Sequence, residues 1–383
     1  AFIYLSYFDI HNKVINSSLA LFSIYLLLNI PKQALFYAGF FIGVFWCWWL
    51  ALSFRFYDLS YLMPIVILGI GLIYGLLFYL ISIYKDQVYT RALLFFAFSF
   101  LNPFGFNWLK PELLLIDTFF GIEKLDLALV LLSMVMVSKS KYLFIIPLLI
   151  SFYLLPTHEV KAANIKIAMP QLNVKQNIKW EKDYRNELVT QNIHLIDEAI
   201  INKQDLIILP ETTFPSILNK NDFLIKTLKE KSQQIDIVAG SLYKKEGLYY
   251  NSTYFFSKAN MQVAHKVVLV PFGEAVPLPE KIKNIINDIF YEGASDYEKA
   301  EEPTTFKIKG INFRNAICYE ATTDEIFENI GNTKYMIATS NNAWFAPSIQ
   351  PTLQKLLMKY HARKYGVIVY HSANGSGNSI IYP

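Results

Sequence analysis

A carboxylate, an amine and a thiol stand in that order along the chain, each near the end of a run rich in β-branched residues. Glu211 lies in Leu209-Pro210-Glu211-Thr212, Lys266 begins the run Lys266-Val267-Val268-Leu269-Val270-Pro271-Phe272-Gly273-Glu274, and Cys318 sits in Asn315-Ala316-Ile317-Cys318-Tyr319-Glu320. A thiol attacks only as thiolate, and its ordinary pKa of about 8.5 leaves a small ionised fraction at neutral pH. An adjacent base or cation corrects this. Glu211, if within hydrogen-bond reach, takes the thiol proton. Lys266 then stabilises the thiolate and the oxyanion of a tetrahedral intermediate. Together the three make acyl-thioester chemistry. A lone cysteine is more often a small buried hydrophobe, and single glutamates and lysines are common, so the weight rests on the three phrases together.

Other chemistries find less support. The second cysteine, Cys47, lies in the apolar run Phe45-Trp46-Cys47-Trp48, so a disulfide would have to join a membrane-depth residue to a polar segment. The histidines are scattered; His194 has Asp197 and Glu198 one turn away but no second histidine or cysteine beside it. No metal site and no cofactor are expected. There is no Gly-x-Ser-x-Gly elbow, P-loop or Gly-x-Gly-x-x-Gly. The net charge of +4 is slight and dispersed, which argues against a nucleic-acid partner.

The elements that must position these groups fall into two halves. Residues 1–155 carry sixteen Asp, Glu, Lys or Arg, whereas the remaining 228 carry fifty. The first half therefore reads as a membrane α-helical bundle, with spans near 16–30, 34–54, 59–84, 91–109, 113–138 and 141–155. The segment 113–138 is broken by Asp117, Glu123, Lys124 and Asp126, and reads as a surface or re-entrant stretch followed by a short helix. Loop charge divides five against four, which places residues 156–383 on the outer face by a thin margin. That second half alternates β-rich runs (165–168, 206–209, 235–239, 249–256, 262–265, 305–308, 313–317, 335–339, 367–371) with helices (180–201, 223–234, 324–330, 351–365), an α/β domain. Ile282, Ile285, Ile286, Ile289 and Phe290 form an apolar stripe at helical spacing, read either as a core helix or as an amphipathic lid on lipid. Both chain ends look cut.

The phrases Leu-Pro-Glu, His-Lys followed by Val-Pro-Phe-Gly-Glu, Ile-Cys-Tyr-Glu and Ser340-Asn341-Asn342-Ala343-Trp344-Phe345 resemble the nitrilase superfamily. With several spans ahead of them they resemble its membrane branch, the apolipoprotein N-acyltransferases. The resemblance implies a nitrilase-like αββα sandwich over 156–383, with final strands and a last span beyond Pro383. It implies Glu211 as general base, Lys266 as oxyanion stabiliser and Cys318 as nucleophile. Glu274 and Glu320 match supporting carboxylates, and Tyr319 and Trp344 match residues lining the substrate cleft. The implied reaction passes an acyl chain from a phospholipid donor, through a Cys318 thioester, to the α-amine of a diacylglyceryl-cysteine apolipoprotein. The implied place is the bacterial inner membrane, with the catalytic domain periplasmic. Two other readings stay open: a membrane-anchored amidase or nitrile hydrolase using the same three residues, and a transporter. The second would need ionisable residues lining the spans, and those between 16 and 109 carry almost none away from their ends.

Overall fold

The structure, a computed structural model, describes residues 2–83, 87–106, 108–137, 140, 142–155, 158–281, 283 and 296–383. It divides into two compact units, one of residues 1–157 with 348–360 and the other of 158–347 with 361–383. The apolar stripe at 282–290 lies outside the described residues, apart from Lys283.

The first unit is helical: α1 (Phe2–Tyr7), α2 (Lys13–Asn29), α3 (Lys32–Cys47), α4 (Met63–Leu80), α5 (Val88–Phe98), α6 (Lys124–Val137) and α7 (Ile145–Tyr153). With its 3-10 extension, α3 runs Lys32–Phe56, and α4 with its lead-in runs Ser60–Leu80; these two are long and apolar enough to cross a membrane. Helix α4 shows why lipid suits it. Ile65, Leu68, Leu72, Leu76 and Leu80 are exposed, while Gly71, Tyr74, Gly75 and Phe78 are buried. The buried side packs on α3 through small residues. A Cβ on Gly39 or Gly43 would lie 2.5 Å from Tyr74 atoms, and one on Gly71 would lie 2.6 Å from the Phe40 ring. Glycines at four-residue spacing let two backbones approach where no hydrophobic drive separates helix from lipid.

One expected span is shorter than read, and the broken one follows the reading. The stretch 91–109 is helical only to Phe98: the Ser99 hydroxyl donates to the Phe96 carbonyl at 2.7 Å, and a 3-10 turn at Pro103–Gly105 follows. Within 113–138 the break comes first, as a 3-10 turn at Pro111–Leu115, and the helix begins only at Lys124.

The second unit pairs two sheets. One contains β1 (Ile167–Ala168), β2 (Leu206–Ile208), β3 (Phe214–Ile217), β4 (Asp236–Lys245), β5 (Leu248–Ser257) and β6 (Asn260–His265), in the order β1-β2-β4-β5-β6 with β3 also on β4. The other contains β7 (Thr305–Ile308), β8 (Ile311–Ile317), β9 (Tyr335–Asn341), β10 (Ile368–Asn374) and β11 (Ser379–Ile381), in the order β11-β10-β9-β8-β7. Period-2 alternation divides the apolar residues between two cores. Leu206, Ile208, Val238 and Phe255 meet Phe306, Phe313, Ile337 and Ile368 of the facing sheet. Ile207, Ile237, Ala239 and Phe256 point the other way, onto α8 (Lys182–Ile201) and α9 (Asp222–Lys231). On the far side, Phe327 stacks on His361 at 4.8 Å, and His361 Nε2 lies 2.9 Å from the Thr322 carbonyl. Strand β3 was not expected, because Pro215 disguises it; its pairing with β4 is irregular.

Candidate active site

Three strand ends carry the candidate reactive side chains. Glu211 follows β2, Lys266 follows β6, and Cys318 begins the turn after β8. Each strand stops where the backbone leaves its ladder, and two of the exits use the left-handed region that side chains rarely adopt. Thr212 has φ +50 and Cys318 has φ +55. At Cys318 the turn is clamped by Glu320, whose Oε1 accepts from Ile317 N at 2.8 Å. The Thr322 hydroxyl donates to the Tyr319 carbonyl at 2.6 Å. Beside Glu211, Gly240 is required by close approach: a Cβ there would lie 2.5 Å from Thr212 N and 2.7 Å from Glu211 Cα.

Glu211 is buried and both its oxygens are engaged. Oε1 accepts from Asn251 Nδ2 at 2.8 Å and Oε2 from the Asn341 backbone N–H at 2.8 Å. The Asn251 amide also donates to Glu274 Oε1 at 2.8 Å, so one side chain spans two carboxylates. Glu274 Oε2 accepts from Val270 N at 2.9 Å and lies 2.7 Å from Lys266 Nζ. An ammonium has three donors, so the fully buried Lys266 can donate elsewhere beyond this ion pair. Glu320 Oε2 accepts from Val267 N at 2.8 Å and Val268 N at 3.2 Å, tying the Cys318 turn to the residues after Lys266.

The electrostatics follow from this burial. Desolvation works against the Lys266 charge, but Glu274, Glu211, Cys318 and Glu320 outweigh it and the ammonium holds its proton more tightly than usual. Burial pushes the Cys318 thiol well up; Glu211 adds to the push, Lys266 opposes it, and Glu274 adds again. The thiol keeps some exposed surface, yet little of it ionises at rest. A base would have to take its proton for it to attack, and of the nearby carboxylates Glu211 acts on it most strongly. Burial raises the Glu320 carboxyl to about 7, against the pull of Lys266 and three backbone N–H groups.

The structure therefore brings Glu211, Lys266, Glu274, Cys318 and Glu320 into one coupled network. Tyr319 is buried directly after the thiol, and Trp344 ends the turn after β9, three residues beyond Asn341. Sequence reasoning missed Asn251, the Asn341 backbone N–H, Gln176 and Lys179. Asn251 had a signal: a buried amide inside a strand rich in apolar residues. Neither cysteine is in a disulfide. Among the described residues no group of three His, Cys, Asp or Glu side chains could hold a metal.

A buried Cys-Glu-Lys constellation between two facing sheets, on a chain that also carries apolar helices, defines a membrane-anchored member of the carbon-nitrogen hydrolase class. Residues 166–379 match the family model described as carbon-nitrogen hydrolase, and residues 1–156 match the apolipoprotein N-acyltransferase integral membrane domain. An apolipoprotein N-acyltransferase of Wolinella succinogenes is 41% identical, covering 100% of this chain and 93% of its own. Those of Helicobacter pylori (38%, covering 96% and 88%) and Campylobacter jejuni (36%, covering 100% and 86%) are also similar. This chain belongs to the apolipoprotein N-acyltransferase family, and it is a membrane protein.

Proposed function

We propose that this chain moves an acyl group from a membrane phospholipid to the N-terminal α-amine of a diacylglyceryl-cysteine apolipoprotein, through a thioester on Cys318. The observation that carries the reading is the network that couples Cys318 to Glu211 and Lys266. In the first half-reaction Glu211 takes the thiol proton as sulfur attacks the ester carbonyl, and Lys266 holds the oxyanion. Collapse breaks the ester C–O bond; the leaving lysophospholipid oxygen takes the proton from Glu211. In the second, the acceptor amine attacks the thioester, loses a proton to Glu211, and expels the Cys318 thiolate, which is reprotonated. Glu274 and Glu320 hold Lys266 and the turns in register, and Tyr319 and Trp344 line the cleft.

By the same reading residues 1–155 are the membrane domain and 156–383 the catalytic domain, facing the periplasm from the inner membrane. Apolar helices suit an enzyme with two lipid-borne substrates. The hydrolase alternative is not favoured, since relatives named apolipoprotein N-acyltransferase match along the whole chain. The test is intact-mass measurement of the purified protein after incubation with phospholipid vesicles, then with a diacylglyceryl peptide. An acyl adduct on Cys318, absent in Cys318→Ala and discharged to the peptide as an amide, is expected. An adduct persisting in Cys318→Ala would remove the nucleophile, and discharge as free fatty acid would restore the hydrolase.

A further inference from the structure

A second buried lysine sits beside the base. Lys179 is 2% exposed, and its Nζ donates to the Glu211 backbone carbonyl at 3.3 Å. Among the described residues no carboxylate lies within ion-pair distance of it. An ammonium buried without a partner carboxylate is costly, and the charge it meets instead is Glu211. Burial lowers its hold on its proton to about 8, and Glu211 opposes that loss.

Its neighbourhood gives this charge a use. Lys179 belongs to the turn 176–180, just before α8. At the start of that turn the buried Gln176 accepts from Asn341 Nδ2 at 2.8 Å, and Asn341 receives a second side-chain bond from Asn374 Nδ2, also 2.8 Å. The Asn341 backbone N–H is the donor to Glu211 Oε2. Further along, Asn192 of α8 donates to the Thr213 carbonyl at 2.8 Å. One short stretch thus grips the base's loop at two carbonyls, on either side of the left-handed Thr212, and also grips the residue that hydrogen-bonds the base's carboxylate. The charge that faces Lys179 is that of Glu211, whose own carbonyl it holds, so the lysine acts through Glu211.

We infer that Lys179 is a positioning residue for the reaction: its ammonium fixes the Glu211 loop through the peptide carbonyl, so that the carboxylate stays where the thiol proton must go. The inference rests on the assignment of Glu211 as base. The charged or titratable groups facing Glu211 are Lys179, Lys266 and the Cys318 thiol, with Glu274 beyond the shared Asn251 amide.

The experiment compares wild type, Lys179→Met and Lys179→Arg in detergent–lipid micelles, reading the rate of Cys318 acylation by intact mass, steady-state kcat and KM, and thermal midpoint. Lys179→Met should lower kcat by tenfold or more with KM changed less than threefold. Lys179→Arg, which keeps charge and donors, should recover much of the rate. A kcat within threefold of wild type in Lys179→Met would overturn the inference, as would Lys179→Arg as slow as Lys179→Met. If Lys179→Met fails to fold, Lys179→Gln keeps a donor without charge and the same criteria apply. Glu211→Gln run in parallel separates the two claims. If it acylates like wild type, the assignment of the base has failed; if it is slow while the lysine variants are normal, only the role of Lys179 has failed.

Discussion

Glu211→Gln changes almost no volume, so its consequences follow from hydrogen-bond polarity. The native carboxylate accepts on both oxygens, from Asn251 Nδ2 and from Asn341 N, each at 2.8 Å. Glutamine offers one acceptor and one donor in those places. Its NH₂ must therefore face either the Asn251 amide or the Asn341 N–H, donor against donor. Asn251 Oδ1 has no hydrogen-bond partner, so turning that amide would relieve the clash, but it would break the bond to Glu274 Oε1. Either arrangement loses one buried hydrogen bond, a stability loss of about 1–3 kcal/mol, which a thermal midpoint in detergent reads as a drop of a few degrees. The catalytic effect is larger. Loss of a general base lowers rate roughly 10²–10⁴-fold, about 3–5 kcal/mol of barrier. A third effect has the opposite sign: Glu211 is one of the charges that push the Cys318 thiol up, so its removal should lower the thiol's titration midpoint. Acylation from phospholipid at pH 7 should fall at least a hundredfold while the midpoint for alkylation of Cys318 moves down in pH. Acylation within threefold of wild type, or an unmoved alkylation midpoint, would refute the base assignment.

Lys266→Met should lower acylation by roughly 10²–10³, the usual effect of losing an oxyanion donor; intact mass after a timed incubation checks it, and a normal adduct yield would make Lys266 structural. Glu320 gives a pH prediction. Its folded carboxyl titrates at about 7, above the ordinary glutamate value of about 4.3. The folded state thus holds that proton more tightly than the unfolded chain, and stability should fall as pH rises from about 4 to about 7, then level. Glu320→Gln should flatten this dependence, and midpoint curves that stay parallel from pH 5 to 8 would oppose the assignment. In the membrane unit, Gly43→Leu should destabilise by about 1–3 kcal/mol through overpacking, because even its Cβ would lie 2.5 Å from Tyr74 Cβ. Gly69→Leu, where a Cβ meets nothing within 4 Å, is the matched control, and equal midpoints for the two would count against the α3–α4 seam.

How far the sequence could be read depends on whether the signal is local. Alternation over 206–209 and 235–239 is local, and β2 and β4 lie there with their two faces in different cores. Composition alone ran on from 91 to 109, because apolar residues continue past the point where Ser99 and Pro103 stop the helix. The three residues proposed to react were legible by type. Glu274 and Glu320 came only through the family resemblance, since nothing local separates them from solvated glutamates. Lys179 and Gln176 were invisible for a stronger reason: what distinguishes them is burial next to Glu211 and Asn341, and these partners are 32 and 165 positions away in the chain.

A thiol that resists ionisation looks ill suited to be a nucleophile, yet the two half-reactions proposed above ask for it to be both nucleophile and leaving group. A permanently low-pKa thiolate would leave readily but attack an ester weakly, since nucleophilicity falls with basicity. Burial and Glu274 still raise the Cys318 sulfur after Glu211 has taken the proton and lost its own charge, so the thiolate is strongly basic. The same basicity would hinder expulsion in the second step. Lys266 resolves the conflict by position: it is coupled to Cys318 and braced against Glu274 at 2.7 Å. Its ammonium therefore lowers the energy of the oxyanion in each tetrahedral intermediate and of the departing thiolate when the amine has added. Lys266 keeps its proton throughout, because the carboxylates around it hold its charge against burial. In the proposed reaction, proton traffic is then confined to Glu211 and charge stabilisation to Lys266. On this division of labour, replacing Lys266 should slow discharge of a preformed Cys318 thioester to the amine as well as its formation, whereas a lysine serving only the first oxyanion would leave discharge unchanged.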